Sequence, residues 1–311
     1  MSPETTETPE NAAELPENAG AVENATSFRA VPDHATLHGA LGPLANLPGR
    51  WSGTGFNMIA RPDHQGHNDI FLELNLTKES LVFNTIGSPI PNRGSEQDDI
   101  TLFGVHYLQT ISDRTTHGAL HLEPGIWINI PKTTKPAEGP TIARLATIPH
   151  GDAANIQGTA TSVGGPPTIH GTNTVPFTIG SPTPGPGTPN GFPEYNLSHA
   201  NPFRTHPVPA GITQAMIDNP NVVLTDHIAH QTITHTEVLS ISTHPHGGVQ
   251  NIPFVVHNAN AVSVQATFWI ETVKPASGPT HMQLQYTQTV LLNFLGLSWP
   301  HVTVANLTKT F

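Results

Sequence analysis

The chain contains 311 residues, carries a formal net charge of −11 and has 12 Lys and Arg residues in all. So few basic residues leave no electrostatic footprint for nucleic acid, and the absence of Cys excludes disulfides, Fe–S clusters and thiolate chemistry. No stretch approaches the roughly 18 consecutive apolar residues of a membrane-spanning helix. Neither nucleic acid nor a membrane is therefore an expected partner.

The N-terminal 40 residues differ in composition from the rest of the chain. Residues 1 to about 28 carry Glu, Thr, Pro, Asn and Ala with hardly any large apolar group, which predicts a disordered acidic tail. The opening MSPETTETPENAA lacks the cationic region and apolar core of a secretory signal, so we expect a cytoplasmic protein. We assign residues 1–40 to a tail and lead-in, and residues 41–311 to one domain.

Alternating segments predict β-strands through the first half of that domain. In NDIFLELNLT, Ile70, Leu72 and Leu74 share one side and Glu73 and Asn75 share the other, which is typical of a half-buried strand. ITLFGVHYLQTIS predicts a further strand. GALHLEPGIWINIPK predicts two short strands about a Pro-Gly turn.

A long segment without a steady period interrupts the strands. GGPPTIHGTNTVPFTIGSPTPGPGTPNGFPEYN is crowded with Gly, Pro, Thr and Asn, and we predict an insertion over about residues 155–225 that is functional or disordered. Within it, AGITQAMIDNPN predicts one short helix that ends at Asn219-Pro220.

The second half returns to strands and defines the fold class. VVLTDHIAHQTITHTEVLSIST, AVSVQATFWIETV and HMQLQYTQTVLLNF are rich in β-branched or alternating apolar residues. Many strands, almost no helix and frequent turn signals predict an all-β, antiparallel closed β-barrel with a long Pro/Gly-rich insertion.

Three short motifs follow one another between residues 49 and 309. Gly49, Trp51, Gly53 and Gly55 give the pattern G-x-W-x-G-x-G, HGALHLEPGIWINIP contains His-x-Glu-x-Gly-x-Trp from His121 to Trp127, and WPHVTVANLTK ends the chain. Together they resemble the motifs of nitrobindin-like and fatty-acid-binding-protein-like (calycin) β-barrels. This chain is enlarged relative to the usual member of that family.

In such barrels the closing strand carries the proximal haem histidine, so the resemblance implies haem b with His301 as the iron ligand. A neutral imidazole is a good axial ligand for haem iron. Strand alternation would place Trp299, Ala305 and Leu307 on the same side, with Ala305 leaving room and Leu307 supplying an apolar wall. A surface or hydrogen-bonded core histidine is the alternative, and it stays open.

Other residues are candidates for the rest of the haem pocket. His106 is the candidate catalytic group on the distal side, and the alternative is an outward-facing side chain. His257, expected at a strand edge, is a second distal candidate. Phe268 and Tyr286 lie on apolar faces, and they would line the pocket only in an open barrel.

The resemblance implies reactions with nitric oxide, peroxynitrite or peroxide, of a peroxidase or isomerase type. The expected partner is such a diatomic or peroxide substrate, or another small-molecule ligand. Whether the protein catalyses a reaction and whether it forms a homodimer both stay open. A metal-free calycin-type carrier of an apolar small molecule is the alternative function, and a filled barrel that acts as an interaction domain is a third. Hydrolase, phosphate-loop and dinucleotide motifs are absent from the sequence.

Overall fold

The computed structural model describes residues 33–310, so the predicted tail up to residue 32 lies outside the described residues. The strands are β1 (Gly49–Asp63), β2 (Asn68–Thr85), β3 (Ile90–Asn92), β4 (Ile100–Asp113), β5 (Ala119–Ile130), β6 (Thr133–Thr134), β7 (Ala137–Glu138), β8 (Thr141–Ile148), β9 (Asp152–Val163), β10 (Phe177–Thr178), β11 (Ile233–Ser242), β12 (Gly248–Asn251), β13 (Asn260–Val273), β14 (His281–Phe294) and β15 (Leu297–Lys309). The α-helices are α1 (His34–Ala40), α2 (Gln214–Asp218), α3 (Val222–Ile228) and α4 (Pro253–Asn258), and two 3₁₀ turns span Gly42–Leu44 and Pro193–Tyr195.

Ten of these strands close into one antiparallel barrel. Their order is β1-β2-β4-β5-β8-β9-β11-β13-β14-β15, and β15 pairs back onto β1. The closing seam runs from Trp51 opposite Lys309 to Met58 opposite Val302. The predicted closed antiparallel barrel is therefore confirmed. Among residues 33–310, no helix combines the length and apolarity needed to cross a bilayer.

One end of the barrel is closed by residues that precede the first strand. Asp33 caps α1 by accepting a hydrogen bond from the Thr36 amide at 2.9 Å. Leu41, Leu44 and Leu47 follow, and they pack into the apolar cluster inside the barrel. Part of the lead-in assigned from the sequence is thus a helix whose continuation plugs the barrel. We call this the closed end.

The insertion lies outside the barrel rather than in its mouth. Because β9 extends to Val163 and β11 begins at Ile233, the insertion spans residues 164–232 instead of 155–225. It covers the outer face of β1, β2 and β15 and forms a second apolar cluster there. That cluster joins Phe56, Met58, Ile70, Leu72, Leu74, Val302 and Val304 of the barrel to Tyr195, Met216, Ile217 and Leu224 of the insertion.

In β2 the apolar side chains face away from the barrel interior, toward the second apolar layer. Leu72 and Leu74 face outward beneath the insertion, and strand alternation turns Glu73 and Asn75 toward the barrel interior. An alternating strand identifies its two faces but not which one points inward. Here the outer face is the apolar one because another layer covers it.

Two predicted elements differ in the structure. VVLTDHIAH does not begin a strand but forms α3, because Leu224 is buried in the outer cluster and this packing overrides the β-branched composition. GALHLEPGIWINIPK is one strand, β5, rather than two. Because β8 pairs with β5 only from Gly125 onward, no ladder hydrogen bond on that side needs an N–H at Pro124. The predicted helix before Asn219-Pro220 is confirmed as α2.

Candidate functional site

The inward-facing residues of the barrel change in character along its axis. At the closed end Trp51, Trp127 and Phe268 are buried in the inner apolar cluster. At the opposite end, by the register of β1 with β15 and of β14 with β15, inward side chains remain partly accessible. We call this end the open cup. Its walls include Asn57, Ile59, Phe71, Glu73, Gln288, Val290 and His301.

A layer of buried charges lies between the closed end and the open cup. Arg144 and Glu123, which are 2% and 1% exposed, form an ion pair, and Tyr107 donates its hydroxyl to the same carboxylate. Burial alone would raise the pKa of Glu123, but the Arg144 guanidinium and its hydrogen-bond donors lower that pKa to about 2. Arg144 also donates to Gln288 at 2.7 Å. The ion pair therefore forms a charged, hydrogen-bonded floor for the cup.

A second buried carboxyl lies in the same layer and forms no ion pair within residues 33–310. Glu79 accepts hydrogen bonds from Tyr286 at 2.6 Å and from Thr77 at 2.9 Å. Burial raises the pKa of Glu79, although these hydrogen bonds oppose the shift. Glu79 thus holds its proton more readily than an exposed carboxyl.

His301 projects from β15 into the open cup as a neutral imidazole. Its Nε2 accepts a hydrogen bond from the Asn57 amide at 2.7 Å, and the same amide donates to Thr303 at 2.8 Å. Burial, and beyond it the nearby His121 and His150, lowers the pKa of His301 to about 3. At neutral pH the ring therefore carries its single proton on Nδ1, and its Nε2 lone pair accepts the hydrogen bond from Asn57.

Two more imidazoles lie close enough to His301 to affect its pKa. His121 of β5 contacts Glu123 at 3.2 Å, and its ring stacks on that of His150 with 6.1 Å between centroids. His121 belongs to the His-x-Glu motif, whose spacing puts both side chains on one face of a strand. His150, in the turn between β8 and β9, had no comparable signal in the sequence.

The other residues predicted to line the haem pocket lie in two different environments. Ala305, Leu307, Phe268 and Tyr286 are buried in the inner cluster, deeper than His301. Trp299 is also buried, but its ring packs on Phe192 and Phe294 at 5.0 and 5.1 Å, within the outer cluster. None of these five residues is part of the accessible cup wall.

The two histidines expected on the distal side do not reach the cup. His106 is exposed on the outside of β4, because Val105 and Tyr107 occupy the inward positions. The expectation that His106 faces the cavity is therefore wrong. His257 is exposed on α4 rather than at a strand edge. Neither side chain is placed to act on a ligand inside the barrel.

Comparisons with known proteins add little to this geometry. No family model matches the chain, and no curated protein matches it. Among solved structures, the crystal structure of Rv2717c from M. tuberculosis is similar to it at a TM-score of 0.42 and 14% identity, covering 90% of this chain and 100% of that chain. Within residues 33–310, no group of three or more His, Asp or Glu side chains is arranged to hold a metal ion.

Proposed function

We propose that the open cup binds one haem b, with His301 as the axial ligand of the iron. The supporting observation is a neutral imidazole that points from a rigid barrel strand into a partly accessible space. A single uncharged imidazole suffices for haem iron, so a cluster of several ligands is not required. Ile59, Phe71 and Val290 supply apolar surface on the cup wall for the macrocycle.

Binding of such a group through His301 would cost the cup one hydrogen bond. Iron bonded to His301 Nε2 would replace the contact from Asn57, and Asn57 would keep Thr303 as an acceptor. Bound haem would supply reactivity toward nitric oxide, peroxynitrite or peroxide. The chain would hold the group, limit its access to water and keep His121 near it through Glu123.

Titration of the purified full-length protein with hemin tests the proposal. We expect a specific Soret band, and His301→Ala should shift this band and weaken binding by at least about tenfold. His106→Ala is the matched control, because it removes an imidazole from the outer surface and should leave the titration unchanged. Equal hemin binding by His301→Ala would contradict ligation at this position.

Asn57 provides an independent test of which nitrogen is involved. If hemin competes with the Asn57 amide for Nε2, Asn57→Ala should tighten hemin binding, since the competing donor is removed. Binding that is unchanged or weaker in this variant would argue against ligation through Nε2.

A second candidate function, a metal-free carrier of an apolar small molecule, is favoured by the same hydrogen bond. Asn57 already satisfies His301 Nε2, so the imidazole needs no metal to complete its contacts. In that case a fluorescent fatty acid should bind in the cup, Val290→Asp should abolish its binding, and hemin should produce no specific band.

A further inference from the structure

A cleft of about 560 Å³ separates the insertion from the outer wall of the barrel. Its floor consists of outward-facing residues on β11, β13, β14 and β15, and its roof comes from residues 168–173, residues 183–186 and Asn221. Pro300 belongs to this floor, whereas the adjacent His301 faces the open cup. The barrel wall therefore separates the cleft from the proposed haem site.

The floor of the cleft carries an ordered set of uncharged polar groups. Ser240, Thr267 and Thr287 lie directly opposite one another across three neighbouring strands, so their spacing is about 4.8 Å per strand. Gln265 and Thr289 form a second row beside them. Hydroxyl and amide side chains both donate and accept hydrogen bonds, so the floor can bind a ligand with several polar groups.

The charge of the cleft restricts the class of ligand. Among the described residues that line it, none is Asp, Glu, Lys or Arg. The imidazole of His170 also lines the cleft. An ionic ligand would lose its hydration without gaining a permanently charged partner, which is unfavourable. A neutral polar ligand meets no such penalty.

Two buried oxygen atoms at the cleft have no hydrogen-bond partner within residues 33–310. They are Asn221 Oδ1, on a side chain that is 3% exposed, and Thr287 Oγ1. The Asn221 amide nitrogen is held by the His170 carbonyl at 2.7 Å, which fixes the side chain in place. Because an unsatisfied buried polar atom is destabilising, a ligand hydroxyl that reaches these oxygens is favoured.

The cleft is formed before any ligand arrives. The Thr172 amide donates to Asn219 at 3.1 Å, and the Thr172 hydroxyl lies 3.4 Å from that of Thr289, which joins roof to floor. Trp269 and Leu291 add apolar surface on either side of the two polar rows. A preformed cleft with apolar walls and a few convergent polar groups is typical of small-molecule sites.

We propose that this cleft binds a neutral, polyhydroxylated small molecule of the carbohydrate class. Such a ligand donates hydroxyls to Asn221 and Thr287, accepts from the floor, and places its C–H faces against Trp269 and Leu291. The site is independent of haem binding, because the two ligands would occupy opposite sides of the barrel wall.

The test is a titration of ¹⁵N-labelled full-length protein with maltose, cellobiose and N-acetylglucosamine, followed by amide chemical shifts. Concentrations up to about 50 mM exceed the millimolar dissociation constants expected of a few hydrogen bonds. We expect at least one of these sugars to shift amides of residues 168–173 and of the floor strands. Glucose 6-phosphate, which is anionic, should bind more weakly.

Thr287→Val is the decisive variant, because it removes an unpartnered hydroxyl with little change of shape and leaves the fold intact. It should weaken sugar binding by about tenfold, and Asn221→Ala should do the same. Thr110→Val, the same change on the exposed outer face of β4 and away from the cleft, is the control. The proposal is overturned if none of the three sugars shifts the cleft amides, if glucose 6-phosphate binds equally well, or if Thr287→Val binds as tightly as its control.

Discussion

Arg144 and Glu123 meet in the middle of the barrel, where neither side chain has appreciable contact with solvent. Such a pair contributes little net stability when intact, because the loss of hydration offsets much of the attraction. Removal of one partner is strongly destabilising, because it leaves a buried charge without an opposite charge beside it. The stability of the fold therefore depends on both partners being present, Glu123 on β5 and Arg144 on β8.

We expect Arg144→Met to lower the free energy of unfolding by about 3–5 kcal/mol, measured by urea denaturation at pH 7. The double variant Glu123→Leu with Arg144→Met should recover most of this loss, because no isolated charge remains. A double variant as unstable as the single one would show that the orphaned carboxylate is not the cause.

Glu271 is another buried carboxyl, on the outer face of β13 near α3. It is fully buried, accepts a hydrogen bond from Gln283 at 2.6 Å, and its Oε1 has no partner within residues 33–310. Gln283 in turn contacts His227 at 3.0 Å and Gln231 at 3.1 Å, both from the insertion. Burial raises the pKa of Glu271 from 4.5 to about 7.

This raised pKa predicts that the protein loses stability as the pH rises. Between pH 4.5 and about 7 the folded chain binds a proton that the unfolded chain has released, so the contribution of Glu271 is complete below pH 4.5 and is lost as the pH passes 7. Glu271→Gln should therefore increase the free energy of unfolding at pH 8, by up to about 3 kcal/mol.

Urea denaturation at pH 5 and pH 8 measures this effect. Glu138→Gln, on an exposed strand, is the control and should follow the parent protein at both pH values. A Glu271→Gln variant with the same pH dependence as the parent would contradict burial of an ionisable carboxyl at this position.

At the scale of the element, the close packing of β1 against its two neighbouring strands requires glycine. A Cβ at Gly55 would lie 2.1 Å from the Val304 carbonyl oxygen and 2.8 Å from the Thr77 hydroxyl. Both distances are shorter than van der Waals contact, and the first involves backbone that a rotamer change cannot move. The glycines after Trp51 in the sequence motif thus allow β1 to approach β15 closely.

Gly55→Ala should destabilise the protein by about 1–3 kcal/mol or more, seen as a lower midpoint of thermal unfolding by circular dichroism. Gly39→Ala is the matched control, because nothing lies within 4 Å of a Cβ at that helical position. It should raise stability by up to about 1 kcal/mol, since Ala favours helix. Equal effects of the two substitutions would contradict the close approach at Gly55.

At the scale of the whole molecule, the barrel can close without the insertion, but part of its outer face needs the insertion as a cover. The insertion leaves β9 and returns in the neighbouring antiparallel strand β11, with Val163 opposite Thr236. A short turn can therefore join the two strands without it. The apolar outer face of β1, β2 and β15, however, would lose its cover.

Replacement of residues 164–235 by Asn-Gly should leave a folded barrel that self-associates and binds the dye ANS. The physical reason is a newly exposed apolar patch larger than soluble monomers tolerate. Size-exclusion chromatography and dye fluorescence measure the outcome. A monomeric variant that binds no dye would show that the outer cluster does not need the insertion.

The amino-acid pattern alone is sufficient to predict the fold class. Alternation in segments such as HMQLQYTQTVLLNF and the turn signals between them predicted an antiparallel barrel, because a strand exposes its two faces at every second residue. The long Pro/Gly-rich segment indicates an insertion, and the motif in the last strand singles out His301. These are local properties, readable from neighbours along the chain.

Only the tertiary structure decided which face of each strand points inward. Alternation along the sequence separates the two faces of a strand but does not show which of them faces the barrel interior. The tertiary structure turned Leu72 and Leu74 outward under the insertion, and it left His106 on the surface. It also brought Asn57 to His301 across 244 positions of sequence. The contacts around His301 arise from barrel closure and strand register, which join distant segments, and no short stretch of sequence contains that information.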